Sequence, residues 1–506
     1  MDELRSLINT VSKNKIKQIE ILGGPSNPNS LLNKFYNGVS EGQFTSDEDA
    51  ATELFKAEKN RKAYYNRLKR QLKERLYNTL FLIDTNEPSY SDLQRAYYNS
   101  YKDVSAVKIL IGKQNRQGAI PLAIKTLKVA EKYEFTDIIL ALAKELRTHF
   151  GMLIGNQKKF DQYNNIVKKY TKIYLAELQA EEYYSAIVVH FVNSSANKKE
   201  VIEIANNLCE NLLKMGKEVD SYWFNFFTYS TLIIRYEIAN DYLNVLKTCN
   251  TALQYFDKKK HLASNRTLLS FLFRSSGAHI KLREFEQGFE KIQRCIGLTL
   301  QGSVNWYSSM HYLMIISYHS KNLDIAFETY LRATSHSNFK LYYKNLSETW
   351  KIHEAFTYFF LLTERLSEDK NEKLPKFRVS KFMNQVPIQS KDKRGSNITI
   401  IILQVLFLLQ QKKYGAIIDK MESLQTYTHR YLRQDDTFRS NCFIKMLLCL
   451  PAASFHKKAV LRKADKYWKK LLSVPIEKAN QSAEMEIVPY EMLWEFVLEG
   501  LDEKWH

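Results

Sequence analysis

The sequence predicts an all-α fold built as an array of antiparallel helix pairs. Three observations predict it. Gly (16) and Pro (9) are scarce in 506 residues, which favours long helices over many-turned β folds. The stretch 222–333 reads as one helix pair written nearly three times, each with a tight polar turn: Asn240-Asp241, Arg283-Glu284 and Lys321-Asn322. The apolar residues that open successive second helices, Ile120, Phe160, Val201, Tyr242, Phe285 and Leu323, are spaced 40, 41, 41, 43 and 38 residues apart. A fixed period of this size marks supersecondary units that stack to bury a shared core.

Taken in order, residues 1–86 form a short helical N-terminal region. MDELRSLINTVSKNK opens with a helix, Ile16–Leu22 has no assignable period, and Gly23 to Pro28 is a turn cluster. A helix over Ser30–Val39 stops at Glu41-Gly42. Thr45-Ser46-Asp47-Glu48 caps the next, to Phe55, because a hydroxyl or carboxylate satisfies free amide groups at a helix start. A long basic helix is expected over about Lys59–Ile83, with Tyr65, Leu68, Leu72, Leu76, Leu80 and Ile83 on one apolar stripe. Between 59 and 75 it carries eight cations against Glu74 alone.

Residues 87–366 are expected to hold the repeats. Ser89–Asp92 caps a helix running to about Lys113. The first unit puts Ala123, Leu127 and Ala130 on one face; the second turns at Asn156–Lys159 and opens with Phe160, Tyr163 and Ile166; the third turns at Ser194–Lys199. Leu341–Leu366, with Trp350, Phe356, Tyr358, Phe359 and Phe360, reads as one or two buried helices. Residues 367–397 are charged and aperiodic, a flexible basic insertion or linker, part of which Phe377, Val379, Phe382 and Val386 could anchor as an extended strip. Residues 398–506 resume the array at Ile398–Leu409, continue through 414–424, 438–450 and 457–472, and end on a capping helix, Tyr490–Leu501, with Glu491, Glu495 and Glu499 on one face.

The order of small and aromatic positions resembles tetratricopeptide-type repeats, in which an aromatic opens the second helix and a small residue follows three positions later. Ile120/Ala123, Phe285/Gly288 and Leu323/Ala326 match, whereas Tyr242/Val245 and Phe160/Tyr163 carry larger residues. Gly112, Gly151 and Gly277 stand for the family's glycine late in the first helix, and its closing proline is absent. The period exceeds that family's usual 34, so the helices should be longer. The resemblance covers about 100–335 and implies a right-handed superhelix, an α-solenoid with an open concave face that takes protein or peptide segments.

Chemistry is not signalled. His353-Glu354 begins an HExxH pattern but Thr357 stands where the second histidine belongs. His311 and His319 lie two turns apart on one helix, too far to share a metal. Phosphate-binding glycine loops and a nucleophile elbow are absent from the sequence. Neither an enzyme nor a cofactor is therefore expected. The five cysteines, Cys209, Cys249, Cys295, Cys442 and Cys449, form no CxxC and read as reduced core thiols. The longest apolar run, Ile398–Leu409, is too short to span a bilayer, and the N-terminus shows no apolar signal core. A cytoplasmic protein without a membrane partner is expected.

Two functional readings follow. In the first, the concave groove binds a peptide or protein partner, as scaffold or sensor, through Tyr183, Tyr222, Arg274, His279, Trp306 and His311, since aromatics and Arg dominate interface energetics. The same rings could instead fill the core between repeats. In the second, the net charge of +19 and the basic helix 59–75 point to a nucleic-acid-binding regulator, with Arg67, Arg70 and Lys73 on phosphate and the repeats sensing a ligand. A short helix, a turn and this basic helix resemble a helix-turn-helix element in outline.

Overall fold

The computed structural model describes residues 1–13, 30–56, 58–87, 90–192, 198–262, 264–367, 379, 382, 396–431, 438–479 and 486–501. Among them the regular structure is all-helical, with no strand. The chain divides into two compact units, Met1–Tyr174 and Leu175–His506. Expectations for 16–28, most of 367–397 and the turn near 194–197 lie outside the described residues.

The first unit holds α1 (Asp2–Lys13), α2 (Leu31–Ser40), α3 (Asp47–Leu54), α4 (Arg61–Leu80), α5 (Asp92–Gly112), α6 (Arg116–Lys132) and α7 (Thr136–Thr148). Ser30, Ser46 and Ser91 each accept an amide at a helix start, and Ser91 with Gln94 completes a capping box. The stripe Tyr65, Leu68, Leu72 and Leu76 of α4 is buried against Leu4, Ile8, Phe35 and Val39. The helix ends at Leu80, so Ile83 falls outside it. Ala123, Leu127 and Ala130 of α6 are buried with Ile138, Leu142 and Leu146 of α7, as their spacing requires. A π-helical turn, His149–Leu153, follows α7.

α8 runs unbroken from Gln157 to Val192. No Gly, Pro or Asn stands between Ile166 and Val192, so nothing local stops the helix. The boundary between the two units falls within it.

The second unit continues with α9 (Lys198–Met215), α10 (Tyr222–Ile238), α11 (Tyr242–Lys258), α12 (Asn265–Leu282), α13 (Phe285–Leu298), α14 (Val304–His319), α15 (Leu323–Thr334) and α16 (Phe339–Leu362), the last a single helix. Then come α17 (Ser396–Gln410), α18 (Tyr414–Tyr431), α19 (Phe438–Leu447), α20 (Cys449–Ala452), α21 (Lys457–Ser473) and α22 (Tyr490–Glu499). From α9 to α16 each helix packs on the next in sequence, and α12 also touches α14.

One type of turn recurs in the backbone. Gln114, Glu134, Asn240, Arg283, Lys321 and Lys412 all sit at φ between 52° and 62°, each two residues before a helix begins. The following amide reaches back across the turn in every copy: Asp241 to Tyr236 O (2.9 Å), Glu284 to His279 O (2.9 Å), Asn322 to Ser317 O (2.8 Å) and Lys413 to Leu408 O (3.0 Å). This is a Schellman-type helix end, which glycine usually supplies. Here larger residues carry the left-handed conformation, so the stop is invisible to a search for glycine.

The core of the second unit contains a buried ion cluster. Arg439 on α19 is shielded from solvent and donates to both Glu486 oxygens (2.8 Å each), to Glu491 (2.8 Å) and to the carbonyls of Leu471 (3.3 Å) and Val474 (2.9 Å). His319 Nε2–H donates to Glu486 O at 2.8 Å, and Lys281 donates to Ile476 O (3.1 Å) and Ala479 O (3.2 Å). The acidic face expected to cap the chain at α22 is thus partly engaged. Glu491 binds Arg439, Glu495 faces Lys321 at 3.6 Å, and Glu499 pairs with Arg365. Of the expected anchors beyond 367, Phe382 is buried with its ring 6.0 Å from that of Phe407, and Val379 packs on the same core; Phe377 and Val386 lie outside the described residues.

Candidate functional site

The first helices of successive pairs, α10, α12 and α14, each bury one face and leave part of another open. Trp223 and Phe227 of α10 lie four residues apart, with Phe226 beside them, so all three point along one side. Trp223 is 46% exposed and Phe226 and Phe227 are half-buried. The Phe227 ring meets Trp223 (6.0 Å) and Tyr184 of α8 (5.8 Å). Phe226 meets Phe271 of α12 at 5.8 Å, edge to face. Phe273 of α12 is half-buried and stacks on Tyr312 of α14 at 5.4 Å. Gly277, one turn beyond Phe273, also faces the Tyr312 ring, which lies 4.0 Å from where a Cβ would stand. Adjacent first helices are therefore joined by ring contacts that stay partly open to water.

The residues expected to line a groove divide into two groups. Tyr183, Arg274 and His311 are half-buried and lie on α8, α12 and α14. Tyr183 Oη accepts from Gln179 (2.8 Å), Arg274 pairs with Glu237, and His311 Nδ1 is 2.7 Å from His353 Nε2. Tyr222, His279 and Trp306 are core side chains. Trp306 is 1% exposed and its ring lies 5.0 Å from Tyr307. Tyr222 packs on Phe256 at 5.2 Å and hydrogen-bonds Thr267, while His279 Nδ1 meets Glu284 at 2.8 Å beside the turn it precedes. A ring so buried offers no contact area to a partner, which corrects the surface role expected of these three. On these helices Trp223, Phe226, Phe227, Phe273 and Tyr312 are rings that stay partly exposed. The missing signal is helical phase: Tyr222 and Trp223 are neighbours in sequence but about 100° apart around the axis.

Beneath His311 lies a buried polar relay. Tyr318 Oη is 3.4 Å from His353 Nδ1, an arrangement that lets Tyr318 donate to His353 and His353 donate onward to His311. Burial holds the His353 pKa well below its ordinary value, and the neighbouring His311 adds to that. Burial likewise lifts the thiols of Cys209 to about 11 and of Cys249 and Cys295 to about 12, so none is a thiolate nucleophile at neutral pH. Among the described residues no group of His, Cys, Asp and Glu could hold a metal ion.

On α4 the cations have two fates. Lys69 pairs with Asp47 at 2.7 Å and Lys73 pairs with Glu3, so Lys73 serves the contact between α1 and α4. Arg61, Lys62, Arg67 and Arg70 face solvent, Arg70 with Glu74 at 3.9 Å. No family model, no curated protein and no solved structure matches this chain.

Proposed function

We propose that the chain is a non-enzymatic helical-repeat protein that binds a segment of another protein along the α10–α12–α14 aromatic strip, as scaffold or sensor. In this reading the helix pairs stack as a right-handed, tetratricopeptide-like solenoid and the strip lies on its concave face. The observation that carries it is Trp223: a large ring left 46% exposed beside two further half-buried rings, on a helix whose other faces are packed. Leaving apolar area in water costs about 25 cal/mol per Å², and a partner that covers it recovers that energy. Half-open rings set in a rigid helical scaffold bind without first ordering themselves.

The test is capture of partners by the full chain, followed by titration of the captured protein. Trp223→Ala with Phe273→Ala should weaken binding by about thirtyfold, as loss of a central aromatic anchor does. Trp223→Ala alone, at the more exposed ring, should weaken binding in the same direction with little change in melting temperature. A partner held equally well by the double variant, or no partner at all, overturns the proposal.

The outward cations of α4 favour a second reading, a nucleic-acid contact. It expects affinity for a duplex or single strand to fall steeply with salt, and Arg67→Glu with Arg70→Glu to abolish it. Measured affinity independent of salt rules this reading out. Lys73 is a poor choice for that test, because its replacement breaks the pair with Glu3.

A further inference from the structure

One end of the first unit carries an apolar tip that neither reading uses. α5, α6 and α7 are joined by tight turns and pack on one another, so the turns at 113–115 and 149–156 lie at the same end. Four aliphatic side chains stand out there. Ile109 is 64% exposed, Met152 82%, Leu153 55% and Ile154 58%.

The tip is built rather than loose. After the π-helical turn, Ile154 N–H bonds His149 O at 3.1 Å and Asn156 N–H bonds Phe150 O at 2.8 Å. Gly155 takes φ +70° to reverse the chain. Gly151 lets Phe160 approach so closely that a Cβ would lie 2.6 Å from its ring. Phe150 is turned inward and stacks on Tyr163 at 5.6 Å, which leaves Met152, Leu153 and Ile154 pointing away from the core.

Cations surround the tip. The stretches 108–116 and 145–161 hold Lys108, Lys113, Arg116, Arg147, Lys158 and Lys159 against two acids. Those acids are engaged, Glu145 by Lys108 and Asp161 by Gln157. Lys113, Lys158 and Lys159 are exposed. Burial and then the charges of Arg116 and Lys159 hold the His149 pKa below its ordinary value, so cations from both turns converge on it.

We propose that this end of the first unit docks on an anionic lipid bilayer, with Met152, Leu153 and Ile154 entering the headgroup–acyl boundary and Lys113, Lys158 and Lys159 lying on lipid phosphates and carboxylates. A convex aliphatic tip ringed by positive charge fits a surface that is soft, apolar a few ångströms down and negative outside. A protein socket would need a matching cavity, and its specificity would not require the basic ring. The tip enters only the interface, which is compatible with the finding that no helix among the described residues is long and apolar enough to cross a membrane.

Sedimentation of the full chain with phosphatidylcholine vesicles, with and without phosphatidylserine, tests this. The wild type should partition onto the phosphatidylserine vesicles at least tenfold better than onto neutral ones. Changing Met152, Leu153 and Ile154 together to Ser should lower that partition at least tenfold with little change in the melting transition, since all three side chains are exposed. Met152→Asp alone should lower it in the same direction, and Lys158→Glu with Lys159→Glu by more than tenfold, at about fivefold per cation before charge reversal. A wild type that ignores anionic vesicles, or is instead captured by another protein through this tip, overturns the proposal. So does partition undiminished by the triple Ser change, which would assign binding to net charge alone.

Discussion

Replacing Arg439 with Ala should be the most destabilising single change in the second unit, at about 3–5 kcal/mol. Its guanidinium is buried and bonded to Glu486, Glu491 and two carbonyls, so removal strands the buried Glu486 carboxylate. It also releases Val474 and Glu486, both of which Arg439 holds. Arg439→Lys should recover little, because an ammonium cannot make two parallel bonds to one carboxylate while reaching carbonyls behind it. Urea unfolding followed by circular dichroism reads the loss. A stability change under about 1 kcal/mol would show that the cluster is not what joins these elements.

Acidification should weaken the second unit through His319. His319 is buried; burial lowers its pKa from 6.5 to about 4, with the Glu486 carbonyl opposing and Lys281 and Arg439 assisting. Because the folded pKa is depressed, the unfolded chain takes up a proton that the folded chain refuses. The stability is complete above pH 6.5 and is lost as pH falls toward 4. The loss reaches about 3 kcal/mol, because each pH unit separating the folded from the unfolded pKa is worth about 1.4 kcal/mol. His353, pushed well below its ordinary value, adds loss of the same sign. Asp47 of the first unit, lowered to about 2, contributes its loss only below pH 3.8. His319→Asn should flatten the profile between pH 6.5 and 4 while costing stability at neutral pH. A profile with the same slope in the variant would assign the effect to other groups.

The two predictions concern residues whose importance has no local signature. In the sequence His319 is only a histidine two turns from His311 on one helix, and Arg439 only one more cation in a basic chain. Both matter because α14 and α19 meet a segment more than forty residues away in sequence for Arg439 and over a hundred and sixty for His319.

Helix identity is legible almost throughout, since apolar periodicity is a property of neighbouring residues. The stripe of α4, the turns at 240, 283 and 321 and the small-residue faces of α6, α13 and α15 all lie where the spacing of residues puts them. The continuity of α8 is not legible, because a repeat period says where a unit recurs, not whether its two helices are joined by a bend. The left-handed turn residues are hidden because Gln, Glu, Arg and Lys carry none of glycine's signal.

By itself the sequence determined that this chain is helical, roughly where its helices start and stop, and which stripe of each is apolar. Those outcomes rest on energies within one or two turns. Only the tertiary structure decided that Trp223 is open and Trp306 closed, that Lys73 is spent on Glu3, and that Met152, Leu153 and Ile154 stand outward. Exposure depends on which neighbour covers a face. That neighbour is set by packing between helices distant in sequence, which no local pattern encodes.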